Sequence, residues 1–139
     1  MNEHQEIQTL LRECLARKFP LYEEKHEVRA SEIRPGKIYV GYETEKILIS
    51  SHYETTHLDL NLVDNTCFLL SIAITQEKRG KGYGRALYAT VEEFALLFGS
   101  EIIQMTPSGW TKTGKTRFDY MLGLGYEPVG DIEVKKRLA

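Results

Sequence analysis

The sequence predicts one α/β domain with a mixed, mainly antiparallel central sheet flanked by helices. Three observations predict it. Apolar residues recur at helical spacing in residues 3–18 and 83–98, and between these stretches, over 37–75, the period falls to two. A glycine-rich turn at 79–84 joins the most apolar strand-like run to the stronger amphipathic helix. With 139 residues, 42% of them apolar and 27% charged, residues 1–139 suit a single globular domain with one core. The net charge of -2 argues against a nucleic-acid partner, although residues 78–85 are locally basic. The apolar run at 67–74 is far shorter than the roughly 20 residues that cross a bilayer, and no signal-peptide region opens the chain, so no membrane partner is expected. Cys14 and Cys67 lie far apart without metal-ligand spacing and read as buried thiols of a reducing compartment, the cytoplasm. No metal is expected.

In residues 3–18, Ile7, Leu10, Leu11, Cys14 and Leu15 share one helical face, Asn2 stands in position to cap it, and Pro20 marks its end. Residues 21–34 are densely charged and weakly patterned, which leaves room for a short second helix. Pro35-Gly36 signals a turn. Strands are expected at 38–40, 46–53 and 57–62. In the last of these Leu58, Leu60 and Leu62 face a core, while His57, Asp59 and Asn61 face solvent or a cleft. After Asp64-Asn65, the run 67–74 reads as a central strand covered on both sides. Residues 83–98 follow the glycine turn as a helix with Leu87, Val91, Phe94 and Phe98 on one stripe and Gly99 as its stop. A short strand at 101–105, a polar segment, a short helix near 116–122 and strands at 126–129 and 132–138 complete the chain, the last suited to a sheet edge by Glu133, Lys135 and Arg137.

The turn Arg79-Gly80-Lys81-Gly82-Tyr83-Gly84 carries the chemistry. A strand that stops, glycines that admit positive φ and a helix that starts at once aim backbone N–H groups and the positive end of a helix dipole at one point. Arg79, Lys81 and Arg85 add cationic side chains, so the point suits a phosphate; a tight turn with a solvated basic face is the plainer alternative.

The run from Ile72-Ala73-Ile74 through Arg79-Gly80-Lys81-Gly82-Tyr83-Gly84-Arg85 resembles the strand and pyrophosphate loop of the GNAT superfamily of N-acetyltransferases, whose signature is Arg or Gln, two residues, Gly, one residue, Gly or Ala. Residues 120–126 resemble the short helix and glycine-aromatic turn that close that family's cofactor site. The resemblance implies a GNAT-like fold, acetyl-CoA as co-substrate, and direct transfer of the acetyl group to a primary amine on a small molecule or peptide. It places the pyrophosphate on Gly80, Lys81, Gly82, Tyr83, Gly84 and Arg85, with Arg79 beside them, and the pantetheine arm along Ile72, Ala73 and Ile74. It also implies a gap where the central strand splays from its following neighbour. The family's proton donor is often a tyrosine four residues before the glycine of the closing turn; here that position is Met121, and the adjacent Tyr120 is the candidate. Candidates for the general base are His52, Glu54, His57 and Asp59, or water. The chain also opens on a helix where the family opens on a strand.

Two other readings stand beside this one. A protein that binds CoA without catalysis would account for Met121. The octapeptide Gly109-Trp110-Thr111-Lys112-Thr113-Gly114-Lys115-Thr116 fits a P-loop, but no later strand ends in an aspartate for magnesium. In that segment Trp110 either walls an acceptor pocket or pins the loop to the core, and Lys112, Lys115 or Arg117 either reach a phosphate or are solvated. The oligomeric state stays open, a homodimer included.

Overall fold

The computed structural model describes residues 2–23, 26–44, 46–111 and 113–138. Helix α1 (Glu3–Lys18) starts at a capping box in which the Asn2 side chain accepts from the Gln5 N–H and the Gln5 side chain accepts in return from the Asn2 N–H. Its apolar face buries Ile7, Leu11, Cys14 and Leu15. The second helix allowed for residues 21–34 is absent among the described residues, and residues 24–25 lie outside them. Strand β1 (Glu27–Arg34) occupies most of the stretch instead. Only Val28 of this strand is buried, so the sequence shows little periodicity; pairing with the next strand, from Glu27↔Glu43 to Arg34↔Lys37, sets its conformation.

The turn at Pro35-Gly36, with Gly36 at φ 82°, leads into β2 (Lys37–Glu43). The expected strand at 46–53 is a small separate hairpin, β3 (Ile47–Ile49) and β4 (His52–Glu54), because Ser50 turns left-handed at φ 55°. Strands β5 (His57–Val63) and β6 (Thr66–Ala73) follow, then a single 3-10 turn (Gln76–Lys78), helix α2 (Tyr83–Phe98), β7 (Ile102–Met105), helix α3 (Arg117–Gly123), β8 (Glu127–Val129) and β9 (Glu133–Arg137). Gly99 ends α2 at φ 111°.

The main sheet runs β1-β2-β5-β6-β7-β9-β8, and every neighbouring pair is antiparallel except β6 with β7. This is the mainly antiparallel α/β fold that the sequence predicts. Two placements differ. Strand β9 lies inside the sheet, and the shorter β8 forms the edge beyond it; charges on a strand record solvent on one face, which an interior strand also meets. Strand β6 is not covered on both sides, since Leu70 is 54% exposed.

Leu58, Leu60 and Leu62 of β5 and Cys67 and Leu69 of β6 join one buried cluster with Leu11 and Leu15 of α1 and Leu87, Val91 and Phe94 of α2. Each such burial contributes about 1.5–3 kcal/mol. The Arg17 guanidinium and the Lys18 ammonium, 3.4 Å away, both pair with Glu93 and tie the end of α1 to α2. On the opposite face Glu43 of β2 pairs with His57 of β5, and these two with Asp59 line a second cavity.

Candidate functional site

The glycine turn has the geometry of an anion cradle. After β6 the chain buries Ile74 and Thr75, and the Arg79 Nε donates to the Ile74 carbonyl at 3.0 Å, folding the loop back onto the strand end. Gly80 and Gly82 both sit at φ 81°, where a side chain is strained. Gly82 is the N-cap of α2 and offers no side chain to the helix end, and the first turn holds no acidic residue. The first α2 bond runs from the Ala86 N–H to the Gly82 carbonyl, so the N–H groups of Tyr83, Gly84 and Arg85 have no acceptor within the helix. Lys81 and Arg85 are exposed beside them, while the Tyr83 ring packs partly on the core. Gly80 to Arg85 thus form one turn at the start of α2, with Arg79 bracing the loop through its Nε.

A gap opens beside the strand ahead of this turn. Parallel pairing of β6 with β7 runs from Thr66↔Ile102 to Leu69↔Met105 and stops, although β6 continues to Ala73. On its other side β6 keeps β5 through a bulge, the register passing from Leu60↔Leu69 to Asp59↔Ser71 with Leu70 unpaired between them. A cleft of about 130 Å³ fills the divergence, lined by Leu69, Ser71, Ile72, Met105, Tyr88 and Arg117 among others. Beyond Leu69 the β6 backbone groups aimed at this side face the cleft instead of β7.

Sequence reasoning missed Tyr88. It lies one helical turn beyond Gly84, on the side of α2 that faces the strand, and that spacing was its only signal. Burial pushes its hydroxyl up from the usual tyrosine value; the Arg117 guanidinium opposes this, and Tyr120 adds a smaller upward push. Tyr120, half-buried on α3, therefore stands near Tyr88, which with Arg117 lines the cleft. Met121 is fully buried in the core.

The polar face assigns the base candidates different partners. Glu54 accepts from the Gln76 backbone N–H at 2.8 Å and meets His52 Nε2 at 2.9 Å. The Gln76 bond first, then His52, lowers its carboxyl below the ordinary range. Glu54 thereby ties the β3–β4 hairpin to the 3-10 turn that leads into the glycine loop, and His52 holds its other oxygen. Asp59 accepts from the Tyr39 hydroxyl, and burial followed by this bond raises Tyr39 to about 12. His57 lies 2.8 Å from Ser71 Oγ through Nε2 and 3.2 Å from Thr55 Oγ1 through Nδ1. A second cavity, about 240 Å³, is lined by Arg29, Tyr42, Glu43, Thr55, His57 and Asp59. Among the described residues no group of three His, Cys, Asp or Glu could hold a metal ion.

The P-loop-like octapeptide forms a self-paired hairpin turn. Trp110 bridges Thr116, and the N–H groups of Thr111, Gly114 and Arg117 donate to Lys115, Thr111 and Gly109 carbonyls. Amides spent in this way do not cradle a phosphate. Trp110 is 69% exposed, so it does not pin the loop to the core. Lys115 is exposed, and Lys112 lies outside the described residues. No described helix is long and apolar enough to cross a membrane.

Three solved structures share the fold. The PaiA N-acetyltransferase of Thermoplasma acidophilum, in complex with coenzyme A, is 16% identical over 73% of this chain and 61% of its own, with a TM-score of 0.50. A tandem GNAT protein from the clavulanic acid biosynthesis pathway is 14% identical over 92% of this chain and 42% of its own, with a TM-score of 0.52. A nourseothricin acetyltransferase is 11% identical over 90% of this chain and 94% of its own, with a TM-score of 0.50. The chain thus spans less than two thirds of the length of the first two. No curated protein sequence matches it. The model of the acetyltransferase (GNAT) family matches residues 5–109, which take in most of α1, the sheet through β7 and the whole glycine turn, and the chain belongs to that family.

Proposed function

We propose that the chain is an N-acyltransferase, a single domain over residues 1–139 that moves the acetyl group of acetyl-CoA directly to a primary amine of a small molecule or peptide. One observation carries the reading: β6 parts from β7 after Leu69, immediately ahead of a glycine turn whose helix N-terminus has N–H groups to offer. The parts fit the co-substrate. Gly82 at φ 81° has nothing within 4 Å of the place a Cβ would take, so the turn is open to a ligand. The pyrophosphate falls to Gly80, Lys81, Gly82, Tyr83, Gly84 and Arg85, with Arg79 bracing the loop, and the extended arm to the backbone of Ile72, Ala73 and Ile74. The leaving thiolate needs a proton, and we assign it to Tyr120 together with its neighbour Tyr88, whose hydroxyl burial holds more firmly in the protonated form. The buried free thiols Cys14 and Cys67 suit a reducing compartment such as the cytoplasm.

Titration calorimetry with acetyl-CoA, CoA and ATP tests the reading. Binding of both CoA species without ATP is expected; binding of ATP without CoA would overturn it. Met121 gives no proton and favours the rival reading, a protein that holds CoA without catalysis. Steady release of CoA in the presence of an amine acceptor excludes that rival.

A further inference from the structure

The two cavities meet at a joined pair of side chains. Ser71 lines the cleft between β6 and β7, and His57, whose Nε2 is 2.8 Å from the Ser71 Oγ, lines the cavity on the polar face. Their meeting depends on the bulge. Cys67 and Leu69 are buried on the core side, and strict alternation would send residue 71 to that side as well. The extra residue Leu70 reverses the alternation, so that Ser71 pairs with Asp59 and stands diagonally beside His57, the partner of Ala73.

The other base candidates are already committed, Glu54 to Gln76 and His52, and Asp59 to Tyr39. The groups that face the imidazole are Glu43 from β2, Asp59 from its own strand and Arg29 from β1, which pairs with Glu43 at 3.3 Å. From β6 it meets only the uncharged Ser71 and Ala73.

We propose that Ser71 and His57 form the route by which the acceptor amine loses its proton, leading from the cofactor cleft to the second cavity. The proposal rests on the acetyl-transfer reading above. The route takes the tautomer with the proton on Nδ1, facing Thr55 Oγ1 at 3.2 Å, so that the Nε2 lone pair is left for the Ser71 hydroxyl. As the amine nitrogen bonds to the acetyl carbon, one of its protons passes to Ser71 Oγ while the Ser71 hydroxyl proton passes to His57 Nε2. The carbon–sulfur bond breaks, the sulfur keeps the electron pair and takes a proton from the tyrosine pair, which recovers one from solvent, and the imidazolium returns its proton to water in the second cavity. Nothing is oxidised or reduced. Ser71 touches the reacting amine, and His57 acts through it.

The test combines CoA calorimetry with CoA release from acetyl-CoA, using spermidine, kanamycin, L-lysine and phenylethylamine as probe amines, for the wild type, His57→Gln, Ser71→Ala and Ser71→Thr. All these proteins are expected to bind CoA equally. His57→Gln and Ser71→Ala should lose roughly 100-fold in kcat at unchanged KM for acetyl-CoA, and Ser71→Thr, which keeps a hydroxyl, should recover most of it. Wild-type kcat in His57→Gln overturns the route. So does a wild type that binds CoA but acetylates none of the probes, while the cofactor site then stands. A wild type that binds no CoA overturns the acetyl-transfer reading itself.

Discussion

At the scale of single residues, one glycine and three tyrosines can be tested separately. The Tyr39 ring lies over Gly41 to reach Asp59, so closely that a Cβ on Gly41 would be 2.3 Å from the Tyr39 hydroxyl oxygen. Gly41→Ala must push the ring aside and break the bond to Asp59, and about 1–2 kcal/mol of stability should be lost. Urea unfolding measures this, and an unchanged midpoint would mean that the ring does not lie there. Tyr88 and Tyr120 interact in the folded protein, and Tyr88 lines the cleft with Arg117. If they deliver the thiolate's proton as one unit, Tyr88→Phe and Tyr120→Phe should each lower kcat, and the double variant should be little worse than the poorer single one. Additive losses would show that the two act separately. Tyr120 was legible in the sequence because it borders a recognisable helix and glycine turn. Tyr88 was not, because its value lies in what it faces across the chain, which helical spacing alone does not report.

At the scale of elements, the proposed pyrophosphate site before α2 requires that its amides stay open and its backbone stay left-handed. Gly82→Glu strains a residue at φ 81° and sets a carboxylate where an anion belongs. CoA binding should vanish in calorimetry while circular dichroism stays that of the wild type; a folded variant with unchanged affinity would put the site elsewhere. The β3–β4 hairpin supports the same turn from outside through the Glu54 carboxylate on the Gln76 N–H. Glu54→Ala should speed hydrogen exchange at Gln76 and weaken CoA binding a few-fold, and unaltered exchange at that amide would show that the hairpin gives no support. The elements with strict periods, α1, α2 and β5, were legible because each buries a face that its own sequence writes. Strand β1 and the split of residues 46–53 were not: one is held mainly by its partner strand, and the other turns on a left-handed Ser50 that no glycine announced.

At the scale of the whole molecule, the groups that titrate in the core share a sign. Burial raises Cys14 to about 11, with Glu93 adding to it, and raises Cys67 to about 12. Burial also lifts Tyr39 to about 12, Asp59 adding to it, and moves Tyr42, Tyr88 and Tyr126 upward. In each case the folded chain holds the proton more tightly than the unfolded chain, whose thiols and phenols titrate near 9.0 and 10.0. The stability they contribute is therefore complete below those values and is lost as pH rises through the folded ones. The carboxylates work in the opposite direction but weakly. Glu54 is lowered by Gln76 and His52; in Glu93 burial pushes upward and the bonds from Arg17 and Lys18 outweigh it. Their stabilisation is lost as pH falls below the ordinary carboxylate value, yet both sit partly exposed at the surface, where solvent and salt screen them. The urea midpoint should then be nearly level from about pH 6 to 9 and fall steeply above about pH 10, with a smaller decline in acid. Ellman's reagent should leave both thiols unmodified until that alkaline transition begins, since Cys14 and Cys67 have no exposed surface. A midpoint at pH 11 equal to that at pH 8, or prompt thiol modification at pH 8, would show that these groups are not held as the packing of α1, β2 and β6 requires.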